Sequence, residues 1–350
     1  MQNSGLKHPG KRLPTWKRLL FPLLLPALLA CTLIPTQVPV IPTAPATATA
    51  TLLPTAPPPI SELGSSKAPL ILALPPSGAL TSQVQTAGKT LVGLLEKATN
   101  YHIVSVLPPS ESDLVQGFAN GNAHIGVLSP FAYLLASEQG SVEAVFAREH
   151  VKEIFYGAQF VARANTGFTS YFDPIVQANS AEAPVALSQF QDKKPCWTDN
   201  LSPSGYIVPL GYLKQAQIAT RPPAFLAGHV AVVRAVYVGG ICDFGATYID
   251  ARSYPGLEDQ YPDLLKQVNV IWRIPPIIPY ESLVFFHGMN EDMRRNLTRA
   301  FVDVESTPEG QSVMQTLYGF EGMQVVQDAQ YDAFRKAVKA SGVDLTALVK

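Results

Sequence analysis

The chain has little charge of either sign and no surplus of positive charge. Lys and Arg number 26, Asp and Glu number 27, and charged residues make up 15% of the 350 residues. Five of the basic residues lie in the first eighteen positions, which leaves 21 basic against 27 acidic residues, about −6, for the rest. This balance excludes the basic surface of a nucleic-acid-binding protein. The 47% hydrophobic content is enough for a sizeable core, and the length suits two domains.

Cysteine is scarce, with three residues in the whole chain, Cys31, Cys196 and Cys242. Their spacing does not match a zinc site, and no metal or organic cofactor is predicted. If Cys31 is modified, the other two form an even pair. In an oxidising compartment such a pair persists as a disulfide. Two buried free thiols are the alternative.

The apolar run at residues 19–30, "LLFPLLLPALLA", is too short to cross a bilayer, which needs about 20 residues. It follows a positively charged start, so residues 1–30 are predicted to be an export signal. The run ends in "LLAC", where small Ala30 precedes Cys31. This ending resembles the lipobox of bacterial lipoproteins, which implies a lipid on Cys31. An ordinary signal peptide with a chance cysteine is the alternative.

Residues 31–66 are rich in proline, threonine and alanine. Such a tract cannot bury a core and is predicted to be an extended, semi-rigid linker. A lipid followed by a linker implies an extracytoplasmic domain held at the outer face of the cell membrane.

Strand-like and helix-like segments alternate from residue 68 onward. Runs such as "APLILALP", "YHIVSVLP" and "AHIGVLSP" have the length of buried strands, and helical patterns follow them. The alternation restarts after "IFYGAQFVARAN". It predicts an α/β fold with helix-covered parallel sheets in two lobes and a ligand cleft between them. We assign residues 67–163 to lobe 1, 164–274 to lobe 2, and 275–350 to a return strand and C-terminal helices that pack on lobe 1.

The stretch "NLSPSGYIVP" predicts an anion-binding helix start. Ser202 is a good N-cap, and Pro203 suits the first helical position. The amides of Ser204, Gly205 and Tyr206 then lie at the positive end of the helix, where phosphate or carboxylate binds. A cap without a ligand is the alternative.

Three further side chains are candidates for the same cleft. Tyr133 begins a helix after "LSP" and could donate from its phenol, or it could pack in the core. His229 follows a glycine at another predicted helix start, although a lone histidine is more often structural. Asp243, in "GGICDFGA", is predicted to lie where a strand meets the hinge, or to be a turn residue.

The segments "SPSGYIVP", "AGHVAVVRAVYVGGICDFGA" and "NAHIGVLSPFAYLLA" resemble the substrate-binding proteins of ABC importers for phosphonate, phosphite and phosphate. The resemblance covers roughly residues 68–345 in order and spacing. It implies a type II periplasmic-binding-protein fold, a small phosphorus oxyanion as ligand, a transporter permease as partner, and a monomer.

The resemblance also assigns roles to the candidate residues. It implies that Ser202, Ser204 and the following amides hold the phosphonate oxygens, with further hydrogen bonds from Tyr133 and His229. The Asp243 carboxylate can only accept hydrogen bonds, so we expect it to favour a monoprotonated oxyanion or an aminoalkylphosphonate.

The chain departs from the family at two places. Pro203 stands where the family has threonine, so one hydroxyl contact is lost. Glu111 or Ser112 falls where the family often has tyrosine, and an acid there is unfavourable beside an anion.

The sequence is compatible with two other functions. A Ser204–His229–Asp243 hydrolase is one, since triads do not depend on chain order, but Ser202 stands where G-x-S-x-G requires glycine. A sensory domain that presents an oxyanion to a receptor kinase is the other.

Overall fold

The computed structural model describes residues 62–76 and 81–350. The predicted export signal, Cys31 and the linker up to residue 61 lie outside the described residues. Among the residues that are described, no helix combines the length and the apolar character needed to cross a membrane.

The strands of the described residues form two main sheets and a small hairpin. They are β1 Leu70–Ala73, β2 Ile103–Val106, β3 Ile125–Leu128, β4 Val142–Arg148, β5 Phe155–Arg163, β6 Phe172–Asp173, β7 Ala178–Asn179, β8 Pro195–Trp197, β9 Ala224–Phe225, β10 Phe244–Tyr248, β11 Val268–Pro279, β12 Ser282–Phe286 and β13 Met323–Val325.

Helices follow most strands. They are α1 Ser82–Thr99, α2 Glu111–Ala119, α3 Pro130–Glu138, α4 Ala183–Leu187, α5 Val208–Gln215, α6 His229–Val238, α7 Leu257–Gln260, α8 Leu264–Gln267, α9 Glu291–Glu305, α10 Pro308–Tyr318 and α11 Asp332–Ser341. Local chemistry explains several of their ends. The Thr81 hydroxyl accepts from the Val84 amide at the start of α1, and Asn100 ends that helix in the left-handed conformation. The Ser110 hydroxyl likewise caps α2.

Lobe 1 contains a sheet with the order β13-β4-β12-β3-β1-β2. β1 pairs in parallel with β2 and β3, as the alternation predicts. The returning strand β12 inserts antiparallel between β3 and β4. The sheet is therefore mixed, and its central strands are supplied by both ends of the globular region.

Lobe 2 contains a sheet with the order β11-β5-β10-β8-β9. β8 pairs in parallel with β10 and β9, whereas β5 runs antiparallel to β10 and β11. β5 and β11 form a long antiparallel pair that begins beside lobe 1. Because β8 and β10 are parallel, their carboxyl ends meet at one edge and their amino ends at the other.

The C-terminal helices divide between the lobes, whereas the sequence analysis assigned residues 275–350 to packing on lobe 1. α9 and α10 cover α1 of lobe 1. α11 packs instead on α5 of lobe 2, where a Cβ at Gly211 would lie 2.1 Å from the Ala337 carbonyl oxygen. The other side of α11 reaches lobe 1, because Phe334 stacks on Phe131 of α3 at 5.7 Å. One helix thus contacts both lobes.

A disulfide joins Cys196 of β8 to Cys242, which precedes β10. It ties together neighbouring strands of the lobe 2 sheet.

Candidate ligand-binding cleft

The stretch after β8 forms a helix start of the predicted kind. The Ser202 hydroxyl accepts from the Gly205 amide at 3.0 Å, and Pro203 opens a π-helical turn, Pro203–Ile207, that continues into α5. Ser204 is 2% exposed and Gly205 is buried. Tyr206 is half-buried, with its ring edge-on to Phe225. The predicted cap is therefore present, and the following residues are shielded from water.

Thr198 completes this helix start, and sequence reasoning missed it. It follows directly on β8, is 1% exposed, and its Oγ1 has no hydrogen-bond partner among the described residues. A Cβ at Gly205 would lie 2.1 Å from that oxygen, so the turn passes directly over the hydroxyl. A buried hydroxyl without a partner is unfavourable. A ligand oxygen or a water at this position would satisfy it.

The Ser204 side chain contacts the strand that links the lobes. Its hydroxyl lies beside the phenol of Tyr156 on β5, and burial raises the pKa of Tyr156 to about 12. The phenol is therefore neutral at physiological pH. Tyr156 also stacks on Tyr280 at 5.0 Å. The sequence feature that could have indicated Tyr156 is its position after "IF" in the strand that crosses between the lobes.

His229 is the first residue of α6 and lies at the same edge of the lobe 2 sheet. Its Nδ1 accepts from the Tyr248 amide at 3.3 Å, and its ring lies edge-on to the Tyr248 ring. Burial lowers the pKa of His229 to about 4, although the nearby Asp199 carboxylate acts in the opposite direction. The imidazole is therefore neutral at pH 7 with its proton on Nε2, which leaves Nε2–H as a donor.

Asp243 lies at the opposite edge of the sheet, so its predicted place in the cleft is wrong. It precedes β10, and its Oδ2 accepts from the Lys194 amide at 2.6 Å and from Arg221 at 2.5 Å. Burial alone would raise the pKa of Asp243, but the amide and the guanidinium lower it below its usual value. The five residues of β10 separate it from the His229 edge, roughly 16 Å at the rise of a strand. Ser204, His229 and Asp243 therefore do not assemble a catalytic triad.

The acid at the cleft edge of β10 is Asp250, which sequence reasoning did not select. Its carboxylate accepts from Gln159 at 2.7 Å and from Arg252, and it lies 3.3 Å from Arg273. Burial would raise the pKa of Asp250, but Arg252 and Gln159 lower it. The signal was its position two residues after a buried strand, in "TYID".

Tyr133 does not face the cleft, which corrects a second assignment. The side chain is fully buried, its hydroxyl donates to Asp328 at 2.5 Å, and its ring packs on Tyr331. Burial and the Asp328 carboxylate both raise the pKa of Tyr133. The core alternative is the observed one, and the phenol already has an acceptor.

Lobe 1 contributes a cavity of about 520 Å³ at the carboxyl ends of its strands. Among the residues that line it are Pro75, Pro109, Ser110, Glu111, Ser129, Glu281 and Lys350. The Glu111 carboxylate accepts from the Ser129 amide at 2.7 Å and from the Ser129 hydroxyl at 2.8 Å. Glu111 itself begins α2, but its carboxylate therefore lies at the start of α3.

A short series of contacts connects the helix start of lobe 2 with the cavity of lobe 1. Ser204 of lobe 2 contacts Tyr156, which stacks on Tyr280. The next residue, Glu281, lines the lobe 1 cavity and accepts from Arg148 at 3.0 Å. The helix start and the cavity thus adjoin the same crossing strands.

Comparison with known proteins agrees with this architecture. A family model for the periplasmic substrate-binding protein of ABC phosphonate transporters matches residues 79–331. The chain belongs to this family. Its members are extracytoplasmic components of ABC importers, so this substrate-binding protein has its place outside the cytoplasm.

Individual relatives of this substrate-binding protein are distant. The phosphate-import protein PhnD of Mycolicibacterium smegmatis is 25% identical over 287 residues, which cover 75% of this chain and 83% of the relative. The structure of XAC2383 from Xanthomonas citri bound to ATP is 15% identical with a TM-score of 0.55, covering 78% of this chain and 96% of the other. The same protein bound to chloride gives the same TM-score of 0.55. These structural likenesses show the two-lobe fold.

Proposed function

We propose that the chain is the receptor of an ABC importer for a small phosphorus oxyanion, a phosphonate, phosphite or phosphate. The observation that carries the proposal is the buried helix start at Ser204 and Gly205, beside a Thr198 hydroxyl that has no hydrogen-bond partner in the described part of the chain. Helix N-termini attract anions because their amides point outward and the helix dipole is positive there.

The chemistry of the surrounding donors supports an oxyanion. Hydroxyls of Thr198 and Ser204 and the Nε2–H of His229 are neutral donors at one edge of the lobe 2 sheet. A tetrahedral oxyanion offers several acceptor oxygens, which such donors can satisfy together. Since His229 is uncharged at neutral pH, the preference of the site for an oxyanion rests on the geometry of its donors and on the helix dipole.

We further propose that the protein is not an enzyme. Asp243, the third member of the only triad that the sequence suggested, lies at the far edge of the lobe 2 sheet and pairs with Arg221. Ligand binding alone accounts for the other two residues, Ser204 and His229.

We also propose that a lipid on Cys31 anchors the protein to the cell membrane as a monomer that delivers ligand to a permease. Cys31→Ser should release the protein from the membrane fraction, and retention of this variant there would contradict the anchor.

Titration calorimetry with phosphate, phosphite, methylphosphonate, aminoethylphosphonate, sulfate and acetate tests the ligand class. A true ligand stabilises the protein by about 2.7 kcal/mol at a hundredfold excess over Kd, so melting temperatures provide a parallel readout. Loss of a charge-assisted hydrogen bond in Ser204→Ala should weaken binding by about ten- to a hundredfold.

Asp243→Ala is the matched control, because it removes a polar side chain at the other edge of the same sheet. It should leave ligand affinity unchanged. No response to any phosphorus oxyanion, or equal losses in Ser204→Ala and Asp243→Ala, would refute the proposed site.

A further inference from the structure

The Glu111 carboxylate lies in the lobe 1 cavity, at the start of α3. Its two carboxylate oxygens accept from the amide and the hydroxyl of Ser129, at 2.7 and 2.8 Å. Ser129 ends the approach from β3 and is the N-cap of α3, although its own side chain makes no capping bond to that helix. The carboxylate is thus bound as an external oxyanion would be, through one backbone and one hydroxyl donor.

The neighbouring donors of the lobe 1 cavity are also used within the protein. The amides of Glu111 and Ser112 at the start of α2 donate to the main-chain oxygen of Lys350, at 2.9 and 3.3 Å. Glu281 adds a second carboxylate to the cavity lining, and Arg148 holds it. This side of the cleft therefore presents two acidic groups, and the donors of Ser129 and the amides of Glu111 and Ser112 are already used within the protein.

We propose that Glu111 is a specificity-determining residue that acts as a resident anion. It fills the oxyanion position of lobe 1, so that a ligand is held by its anionic group from lobe 2. A second anionic group that reaches lobe 1 is rejected by the Glu111 charge and finds no free donors at Ser129. The cleft thereby selects ligands with one anionic group over ligands with two. This inference rests on the proposed function for the identity of the ligand, but the Glu111–Ser129 contact does not.

Two probes distinguish this role from simple helix capping. Methylphosphonate carries one phosphonate group and methylenediphosphonate carries two, and both are titrated calorimetrically against the full-length protein. The wild type should prefer methylphosphonate. Glu111→Gln should shift the affinity ratio toward methylenediphosphonate by about tenfold, the effect expected from removing a like charge at close range.

Two variants serve as controls. Glu111→Asp keeps the charge and should keep the preference of the wild type. Glu281→Gln removes a charge from the same cavity without touching Ser129. It should shift the ratio by less than about threefold, because that carboxylate is half-exposed and paired with Arg148. An unchanged ratio in Glu111→Gln, or equal shifts in Glu111→Gln and Glu281→Gln, would overturn the inference.

A second measurement does not depend on the transported ligand. In Glu111→Ala the donors of Ser129 lose their acceptor, and added acetate should occupy the vacated position and raise the melting temperature. Acetate should have no such effect on the wild type or on Glu281→Ala. Equal responses of all three proteins would overturn the resident-anion role. If the wild type bound no phosphonate, phosphite or phosphate, the proposed function would be refuted, and this readout would still decide the role of Glu111.

Discussion

Replacing Gly205 by alanine should destabilise the protein, because the added methyl group has no room. An ideal Cβ at this position would lie 2.1 Å from Thr198 Oγ1, 2.5 Å from its Cγ2 and 2.8 Å from its Cβ. Thr198 is 1% exposed, so its side chain cannot swing into solvent. Either the π-helical turn or the end of β8 must shift.

The size of the effect follows from two opposing terms. Overpacking a closed site costs about 1–3 kcal/mol. Alanine in place of glycine in a helix interior contributes about 0.5–1 kcal/mol in the favourable direction. We therefore expect Gly205→Ala to lower the free energy of unfolding by about 1–2 kcal/mol. At about 2–4 °C per kcal/mol for a domain of this size, the melting temperature should fall by roughly 2–8 °C.

Chemical denaturation of wild type, Gly205→Ala and Gly93→Ala measures this term. Gly93 lies within α1 and would place its Cβ where no atom lies within 4 Å, so Gly93→Ala should stabilise the protein. Adding Thr198→Ala to Gly205→Ala removes the two nearest atoms and should recover part of the loss. If Gly205→Ala were as stable as Gly93→Ala, the close packing of the turn on Thr198 would be refuted.

Two further predictions concern the stability of the fold. His124 is 3% exposed with Nδ1 accepting from the Ile71 amide, and burial lowers its pKa to about 4. The unfolded chain therefore binds more protons than the folded one between about pH 6.5 and 4. Stability on the order of 3 kcal/mol should be present above this window and lost as pH falls through it. His124→Gln should flatten the pH dependence of the denaturation midpoint, and an unaltered slope would contradict this origin. Reduction of the Cys196–Cys242 bond, which closes a separation of 46 residues, should cost about 4 kcal/mol by the loop-entropy estimate. Equal denaturation midpoints with and without reductant would contradict it.

Local patterns predicted the elements of this fold well. The strands β1, β2 and β3 and the helices α1 and α2 appear where periodicity and capping residues placed them. The cap at Ser202 and the helix start after it also follow from a few adjacent residues. Such features depend on neighbours in sequence, which is why a single sequence contains them.

The predictions that were wrong depend on contacts between residues that are far apart in the sequence. Tyr133 turns into the core because Asp328, 195 residues away, accepts its hydroxyl. Asp243 was assigned to the wrong edge because the pattern "GGICDFGA" does not say that β10 begins, rather than ends, beside it. α11 bridges to α5 because a glycine there allows its backbone to approach.

The amino-acid sequence by itself determined the two-lobe α/β class, the family and the helix start around Ser204, whose role as an anion site stays a prediction. Those conclusions rest on periodicity, caps and motif order, which are local properties. Only the tertiary structure decided which side chains share the cleft. It brought Thr198 and Tyr156 to Ser204, removed Tyr133 and Asp243, and placed the Glu111 carboxylate on Ser129. The reason is physical: the direction of a side chain is set by burial and by donors and acceptors that the fold assembles from distant parts of the chain.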